Sequence, residues 1–438
     1  MLLSSFITPF FATALSVALP SIAREFVIPS SSTLGLLVAL TTAIAAFVLP
    51  AGQLADMKGY ARIFRAGLLI VLTGLVVTSA ALTPAWLYAG LTIAGLGLAM
   101  VFGSNNALLI QLAPPGRRAS LVGLNSMAVY IGLVLGPPTG GMLAEISWRL
   151  VFLPAIALGV ISYLLSCGIK SKGAAGRLDL LGAVGWGATA VLLILGTQKY
   201  QLLAFGLLAL LLTLLAERKA VNPLIDPASF KNVVFSASVA ASFLNYLSTA
   251  ALIPVLSLLF QETYALSPGV TGWILALQAL AMAVLAPISG RISDRLSPPA
   301  VATAGSAVLA GGLLLCAHTP HPMWAIPSLF IIGVGFALFI VPNTTIILTT
   351  AASRGFGSAV VATSRVLGQS MSNALAVYML RDVTPEEVAK LLFLLVIFAV
   401  MSAFLSAVRL SKVRKGAYSC LQDLSCLTAI LKQSTLAH

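Results

Sequence analysis

Long apolar stretches, separated by short polar segments, run along almost the whole chain. A helix needs roughly 20 apolar residues, at about 1.5 Å each, to cross about 30 Å of hydrocarbon. By this measure the pattern predicts fourteen membrane-spanning helices, and this even number puts both termini on one side of the membrane. The predicted spans are residues 2–21, 33–55, 65–83, 86–112, 119–144, 150–169, 178–197, 200–216, 232–260, 268–289, 299–317, 323–350, 357–380 and 391–408.

Composition excludes a soluble protein. Hydrophobic residues make up 59% of the 438 residues and charged residues 8%, against about 25% charged in soluble domains. The net charge of +13 comes from basic residues in short loops, which act as topology signals, so no nucleic-acid partner is predicted. The four cysteines are scattered without a CxxC pair, and neither a metal site nor a cofactor is predicted.

Basic residues are distributed unevenly between the two sides of the predicted membrane. With the N-terminus inside, nineteen of the 25 lysines and arginines, Arg409 among them, lie in cytoplasmic segments and five in outer segments. The remaining one, Arg365, lies within a span. Because lysine and arginine in short loops are retained in the cytoplasm, we predict a multi-pass protein of the plasma membrane with both termini cytoplasmic.

The two halves of the chain share a set of residues at a constant spacing. An offset of 238 residues superposes Gly52 on Gly290, Asp56 on Asp294, Trp86 on Trp324, Gly95 on Gly333, Gly97 on Gly335 and Asn105 on Asn343, and an offset of 236 superposes Gly132 on Gly368. The sequence therefore predicts an all-α fold of two parallel-repeat six-helix bundles, joined by two extra transmembrane helices. The predicted divisions are residues 1–170, 171–231 for the inserted helices, 232–412, and a cytoplasmic tail at 413–438.

Two similar bundles can rock about a site at their interface, which is the alternating-access arrangement of secondary transporters. The chain contains no GxxxxGK[ST] phosphate-binding loop, so it has no ATP site of that kind to drive transport. No nucleophile, base and orienting group converge by spacing, and an enzyme is not predicted.

The loop after the second span carries a recognisable motif. Residues 52–62 read Gly-Gln-Leu-Ala-Asp-Met-Lys-Gly-Tyr-Ala-Arg, and residues 290–295 repeat its start as Gly-Arg-Ile-Ser-Asp-Arg. This motif resembles the loop signature of the major facilitator superfamily, in which it locks the cytoplasmic gate. The resemblance implies gating roles for Gly52, Asp56, Gly59, Arg62, Gly290, Asp294 and Arg295.

A second motif lies in the fifth span. Residues 132–141, Gly-Leu-Val-Leu-Gly-Pro-Pro-Thr-Gly-Gly, resemble the antiporter motif of the fourteen-helix drug:proton antiporters of that superfamily. Small residues four apart permit close helix contact, and the prolines bend the span. Either exchange or purely structural packing explains this predicted seam, which consists of Gly132, Gly136, Pro137, Gly140 and Gly141.

The chain departs from the antiporter family at charged positions. Phe11 stands where many members carry an aspartate, and Leu91 and Ala94 replace the usual arginine and glutamine. No aspartate, glutamate or histidine lies clearly at mid-membrane, and Glu145 is the carboxylate nearest the seam. Coupling to protons or to another counter-ion is therefore left open.

Several polar residues within spans are candidates to line a substrate cavity. Arg365 is either an anchor for an anionic group or a structural arginine, because it cannot face lipid cheaply. The amides either line the cavity or bridge helices. These amide candidates are Asn105, Asn343, Asn245, Gln278 and Gln369.

Together these features predict a monomeric secondary transporter, surrounded by membrane lipids, that exports hydrophobic or amphiphilic small molecules by alternating access. An uncoupled facilitator or exchanger of an anionic metabolite is the alternative within carriers. A non-transporting membrane sensor of the same fold is the alternative outside them.

Overall fold

A computed structural model of the chain describes residues 1–113, 118–171, 173, 178–218, 220, 224, 226, 228–351 and 354–422. The predicted all-α membrane fold is confirmed, since eleven stretches of this part are long and apolar enough to cross a membrane. The α-helices are α1 (Leu2–Phe26), α2 (Ser30–Lys58), α3 (Tyr60–Ser79), α4 (Pro84–Leu112), α5 (Arg118–Ile146), α6 (Leu153–Ser166), α7 (Leu180–Gly196), α8 (Tyr200–Glu217), α9 (Val233–Thr249), α10 (Leu252–Glu262), α11 (Pro268–Arg295), α12 (Pro298–His318), α13 (Pro322–Thr350), α14 (Arg354–Met379) and α15 (Pro385–Gln422).

Each of the fourteen predicted spans coincides with helix, and one span is divided. Helices α9 and α10 together form the 30-residue apolar stretch Val233–Glu262. The break has a local cause, because Pro254 has no N–H to donate to the carbonyl of Ala250. The Ala251 N–H at the break instead donates to Ser372 Oγ at 3.0 Å.

The helices extend beyond the predicted spans at several ends. Helix α2 continues to Lys58 and α11 to Arg295, past the charged residues at which the apolar pattern stops. Helix α15 runs to Gln422 through the predicted boundary at residue 412, and residues 423–438 of the predicted tail lie outside the described residues. The apolar pattern measures the thickness of the hydrocarbon, whereas helical hydrogen bonding continues into the interface.

Helix contacts fall into two sets. Within the N-terminal helices (α1–α6), α1 packs on α5, α4 on both α2 and α3, and α3 on α6. Within the C-terminal helices (α9–α15), α9 packs on α14, α13 on both α11 and α12, and α12 on α15. The two sets meet where α5 packs on α11, α2 on α14 and α1 on α10. Helix α7 packs on α8 and reaches both α2 and α14, beside the junction of the two sets.

The two ends of this helical assembly are distinguished here by the chain. The amino-terminal face contains the start of α1 and the junction of α2 with α3 at Gly59. The opposite face contains the end of α1 and the starts of α2 and α11. Gly59 has a φ of 93°, and a methyl group added there would lie 2.7 Å from the carbonyl oxygen of Ser171, so this sharp junction requires glycine.

Candidate functional site

Arg365 lies deep in the assembly, between the N-terminal and C-terminal helices. It stands eleven residues into α14, about 16 Å from the start of that helix by helical rise. Its guanidinium carbon lies 5.0 Å from the ring centroid of Phe102 on α4, a cation–π contact that crosses between the two sets. Within the described part of the chain, no hydrogen bond or ion pair is formed by its guanidinium group. A positive charge with unused donors is therefore held at mid-depth.

Aromatic side chains from both sets surround this charge. The rings of Tyr246 on α9 and Phe336 on α13 meet edge to face, with centroids 5.4 Å apart. Tyr246 is close enough to Arg365 to interact with its charge, and Tyr130 on α5 interacts electrostatically with Tyr246. With Phe102, these residues form what we call the aromatic cluster, consisting of Phe102, Tyr130, Tyr246 and Phe336.

Carboxylates lie far from this charge along the chain's helices. Every aspartate and glutamate that the structure describes is in a loop or within three residues of a helix end. Glu25, Glu145 and Glu262 end α1, α5 and α10 near the opposite face, and Asp56 and Asp294 are near the ends of α2 and α11 at the amino-terminal face. Mid-depth positions of the described helices thus contain basic but not acidic side chains.

Asn105 belongs to a chain of hydrogen bonds inside the N-terminal helices. Its Oδ1 accepts from Ser4 Oγ at 3.2 Å, and its Nδ2 donates to Ser5 Oγ at 2.7 Å. Ser5 Oγ donates in turn to Asn125 Oδ1 at 2.6 Å, and Asn125 Nδ2 donates to Asn106 Oδ1 at 3.0 Å. Asn105 is buried, and both of its polar atoms are used to join α4 to α1.

The predicted partner of Asn105 in the second half has a different environment. Asn343 is fully buried and donates through Nδ2 to the carbonyl of Ser238 at 3.1 Å. Its Oδ1 accepts from Arg409 Nη1 at 2.5 Å, and the same nitrogen donates to Ser238 Oγ at 2.8 Å. Arg409 also bonds both the hydroxyl and the carbonyl of Ser406. Asn343 thus orients a buried arginine within the C-terminal helices.

Arg409 corrects the sequence analysis, which counted it among the cytoplasmic loop residues. Its side chain is 0% exposed, because α15 continues as helix and packs against α9 and α12 at this depth. One signal in the sequence could have identified it. Ser402, Ser406 and Arg409 recur at helical spacing on a single face of an otherwise apolar helix, which indicates a buried polar stripe.

The other predicted cavity residues occupy dissimilar environments. Asn245 is fully buried, and neither of its amide atoms has a partner among the described residues. Gln278 is buried with its Oε1 likewise unpartnered there, whereas Gln369 is half-buried one turn beyond Arg365. The structure therefore brings Gln369 near Arg365 along α14 and places Asn105 and Asn343 in separate internal networks.

The predicted seam on α5 makes two different contacts. A methyl group added at Gly132 would lie 2.5 Å from the carbonyl oxygen of Phe6, and one at Gly140 would lie 2.5 Å from the Cα of Ala14, so this side packs on α1. Gly136 is similarly close to Thr13. On the other side, a methyl group at Gly141 would lie 2.2 Å from the carbonyl oxygen of Pro268 on α11.

The contact between α5 and α11 is reciprocal. A methyl group added at Gly272 of α11 would lie 2.2 Å from the carbonyl oxygen of Pro137. The backbones of the two helices therefore touch through Gly141 and Gly272 with no side chain between them. This contact joins the N-terminal and C-terminal helices close to the opposite face.

Hydrogen bonds also cross between the two sets at the opposite face. The Gly269 N–H donates to Glu145 Oε1 at 3.0 Å, and Ser31 Oγ donates to the carbonyl of Arg381 at 3.0 Å. Gln261 Nε2 donates to the carbonyl of Val17 at 2.9 Å. With the seam, these bonds bring the two sets together at the opposite face.

The predicted gating residues are at the amino-terminal face. Asp56 is exposed and accepts a hydrogen bond from the Tyr60 hydroxyl. The close helix approach expected at Gly52 occurs, but the glycine that requires it is Gly103 of α4, where a methyl group would lie 2.8 Å from the Gly52 nitrogen. In the second copy of the motif, Gly290 is half-buried, and the exposed members of the two copies include Arg62, Asp294 and Arg295.

Comparison with known proteins identifies related sequences and a related fold. The family model described as Major Facilitator Superfamily matches residues 1–216 and 238–419. The chain is 28% identical over 422 residues to the uncharacterized transporter YebQ of Escherichia coli (strain K12), with 92% of each protein covered. It is 25% identical over 383 residues to the multidrug resistance protein Stp of Mycobacterium tuberculosis (strain ATCC 25618 / H37Rv), with 83% of this chain and 71% of Stp covered. A mutant of the peptide transporter POT in complex with alafosfalin has the same fold, with a TM-score of 0.70 over 94% of both chains at 15% identity.

Proposed function

Because this chain belongs to the Major Facilitator Superfamily, a family of membrane transporters and not of enzymes, we propose that it is a secondary transporter that works by alternating access. Its proposed substrates are hydrophobic or amphiphilic small molecules, which it exports. The observation that carries the proposal is the position of Arg365, a mid-depth charge between two helix sets that meet at the opposite face. The similarity to the multidrug resistance protein Stp supports this choice of substrates.

Alternating access needs two comparable bundles, and we infer a duplicated six-helix unit. Matched glycine contacts support it. A methyl group at Gly95 would meet the carbonyl oxygen of Leu40 at 2.5 Å, and one at Gly333 would meet that of Gln278 at 2.3 Å, so both glycines and both partners are 238 residues apart. The proposed bundles are the N-terminal and C-terminal helices, with α7 and α8 inserted between them.

A second matched pair supports the same duplication at the other offset. A methyl group at Gly132 would lie 2.5 Å from the carbonyl oxygen of Phe6, and one at Gly368 would lie 2.6 Å from that of Phe243. Equivalent residues therefore approach equivalent helices in the two halves. In this scheme, the contact of Gly141 and Gly272 is one at which the proposed bundles move, and the motifs at residues 52–62 and 290–295 are gate elements.

The proposed orientation puts both termini in the cytoplasm of a cell whose plasma membrane contains the protein as a monomer among lipids. The amino-terminal face is then cytoplasmic and the conformation described is closed to the outside. In a variant without native cysteines, we expect Thr83→Cys to react with a membrane-impermeant maleimide in intact cells. Ser297→Cys should react only after permeabilisation, and the reverse labelling pattern would refute the orientation.

Transport is tested with purified protein in liposomes and a panel of amphiphilic compounds, with and without an imposed pH gradient. We expect flux to persist when the gradient is dissipated, because the described carboxylates lie at helix ends or in loops. We expect Arg365→Gln to lower flux per folded molecule at least about tenfold, as loss of charge-assisted hydrogen bonds predicts. Arg24→Gln, an exposed arginine near the end of α1, is the control and should transport normally.

Two results would redirect the proposal. If flux collapses without the gradient while Arg365→Gln transports normally, the carrier is proton-coupled and Glu145, which bonds Gly269 across the sets, is the first coupling candidate. Binding of panel compounds without any flux would instead favour a membrane sensor of this fold. The second candidate function, an uncoupled carrier of an anionic metabolite, is favoured by the unpaired charge of Arg365.

A further inference from the structure

We propose that the site at Arg365 binds planar aromatic anions, whose anionic group pairs with the guanidinium and whose ring system packs on the aromatic cluster. The inference rests on the proposed transport function, since the site is the one at which the two helix sets would exchange access. It specifies the substrate class within amphiphilic compounds.

The two arginines buried at different depths of the C-terminal helices make the argument for an anion. Arg409 is satisfied by the protein, because Ser238, Asn343 and Ser406 accept from its guanidinium group. Arg365 has no acceptor among the described residues, although it carries the same five N–H donors. A charge without partners is costly inside a membrane protein. An anionic ligand would supply the missing acceptors, and a planar guanidinium is suited to a two-point contact with a carboxylate.

The surroundings of Arg365 make the argument for an aromatic group. Phe102 lies against the guanidinium at 5.0 Å, and Tyr246 and Phe336 meet edge to face at 5.4 Å. These rings come from α4, α9 and α13, so both helix sets contribute. An aromatic ligand can stack or pack edge to face on them. The hydroxyls of Tyr130 and Tyr246 form no hydrogen bond to a described residue and can serve polar substituents of the ligand.

The sign of the ligand's charge follows from the same geometry. Aromatic rings alone also attract cations. Arg365 would repel a cation at this site, and mid-depth positions of the described helices hold no carboxylate that could compensate it. The combination therefore favours aromatic anions over aromatic cations of equal size.

Calorimetric binding to the full-length protein in lipid nanodiscs tests the inference with three probes. The probes are 2-naphthoate, an aromatic anion; cyclohexanecarboxylate, an anion without an aromatic ring; and N-methylquinolinium, an aromatic cation. We expect 2-naphthoate to bind at least about tenfold more tightly than either of the others. Arg365→Gln should weaken 2-naphthoate at least about tenfold, and Arg365→Lys should weaken it less, while Arg24→Gln should not change it. Tyr246→Leu should weaken 2-naphthoate but leave cyclohexanecarboxylate unchanged.

The possible results separate this inference from the proposed function. N-methylquinolinium binding as tightly as 2-naphthoate, or 2-naphthoate binding unaffected by Arg365→Gln, would overturn the inference. If Arg365→Gln does not fold, the comparison of the three probes on the unmodified protein decides. Binding of 2-naphthoate without flux in liposomes would support the inference and contradict transport. Flux of other amphiphiles without 2-naphthoate binding would do the opposite.

Discussion

Gly272→Leu is expected to abolish most transport while leaving a folded protein. Its Cβ would lie 2.2 Å from the carbonyl oxygen of Pro137, and that oxygen belongs to the backbone of α5 and cannot turn away. Overpacking of this kind costs about 1–3 kcal/mol. Because the cost applies only when α5 and α11 touch, it shifts the population away from the state closed at the opposite face by roughly 5- to 150-fold. The folded state survives because each helix set retains its own internal contacts.

Two measurements check this expectation. Flux in liposomes should fall at least about tenfold, and the population shift should expose Ser31, which is buried beside Arg381 in the closed state. In a variant without native cysteines, Ser31→Cys should therefore react with maleimide faster when Gly272→Leu is present. Gly311→Leu is the matched control, because a methyl group at that glycine of α12 meets nothing within 4 Å. Normal flux and unchanged labelling in Gly272→Leu would rule out a role for this contact in closure.

Arg409→Met should lower the free energy of unfolding by about 3 kcal/mol or more. Ser238, Asn343 and Ser406 would each lose a donor in a site that water does not reach, and each buried acceptor left unsatisfied costs about 1–3 kcal/mol. The expected effect is on stability, because the guanidinium is 0% exposed and is satisfied within the C-terminal helices. Thermal unfolding of the detergent-solubilised protein measures it.

Arg24→Met provides the comparison for this variant, since Arg24 is exposed near the end of α1. The double variant Arg409→Met with Asn343→Leu should be more stable than the sum of the single effects predicts, because it removes a donor and its acceptor together. Equal unfolding temperatures for Arg409→Met and Arg24→Met would show that the buried network contributes little.

The helices could be predicted from the sequence because lipid imposes a single requirement on every span. Even α14, which carries Arg365 and Gln369 and is not among the eleven clearly apolar stretches, was predicted from its length and neighbours. The direction in which a polar side chain faces could not be predicted in the same way. Asn105 and Asn343 have the same residue type and equivalent positions, yet one bonds serine hydroxyls and the other an arginine.

The candidate site was predicted only in part for a related reason. Arg365 is detectable because a charge within a span is rare. Tyr130, Tyr246 and Phe336 are not, since aromatic residues are common in apolar helices and the sequence does not distinguish those that meet an arginine from those that meet lipid. The buried role of Arg409 was missed because a basic residue at the end of a span has the same appearance as a loop signal.

The buried arginine of α15 also bears on the order in which the protein is assembled during synthesis. Its partners Ser238 and Asn343 belong to α9 and α13, which leave the ribosome before α15. The acceptors are therefore already in the bilayer when the arginine arrives, and the last helix can dock into a prepared socket. A chain released before residue 409 would leave that socket open, with polar groups inside the C-terminal helices that quality-control proteases can recognise as incomplete assembly.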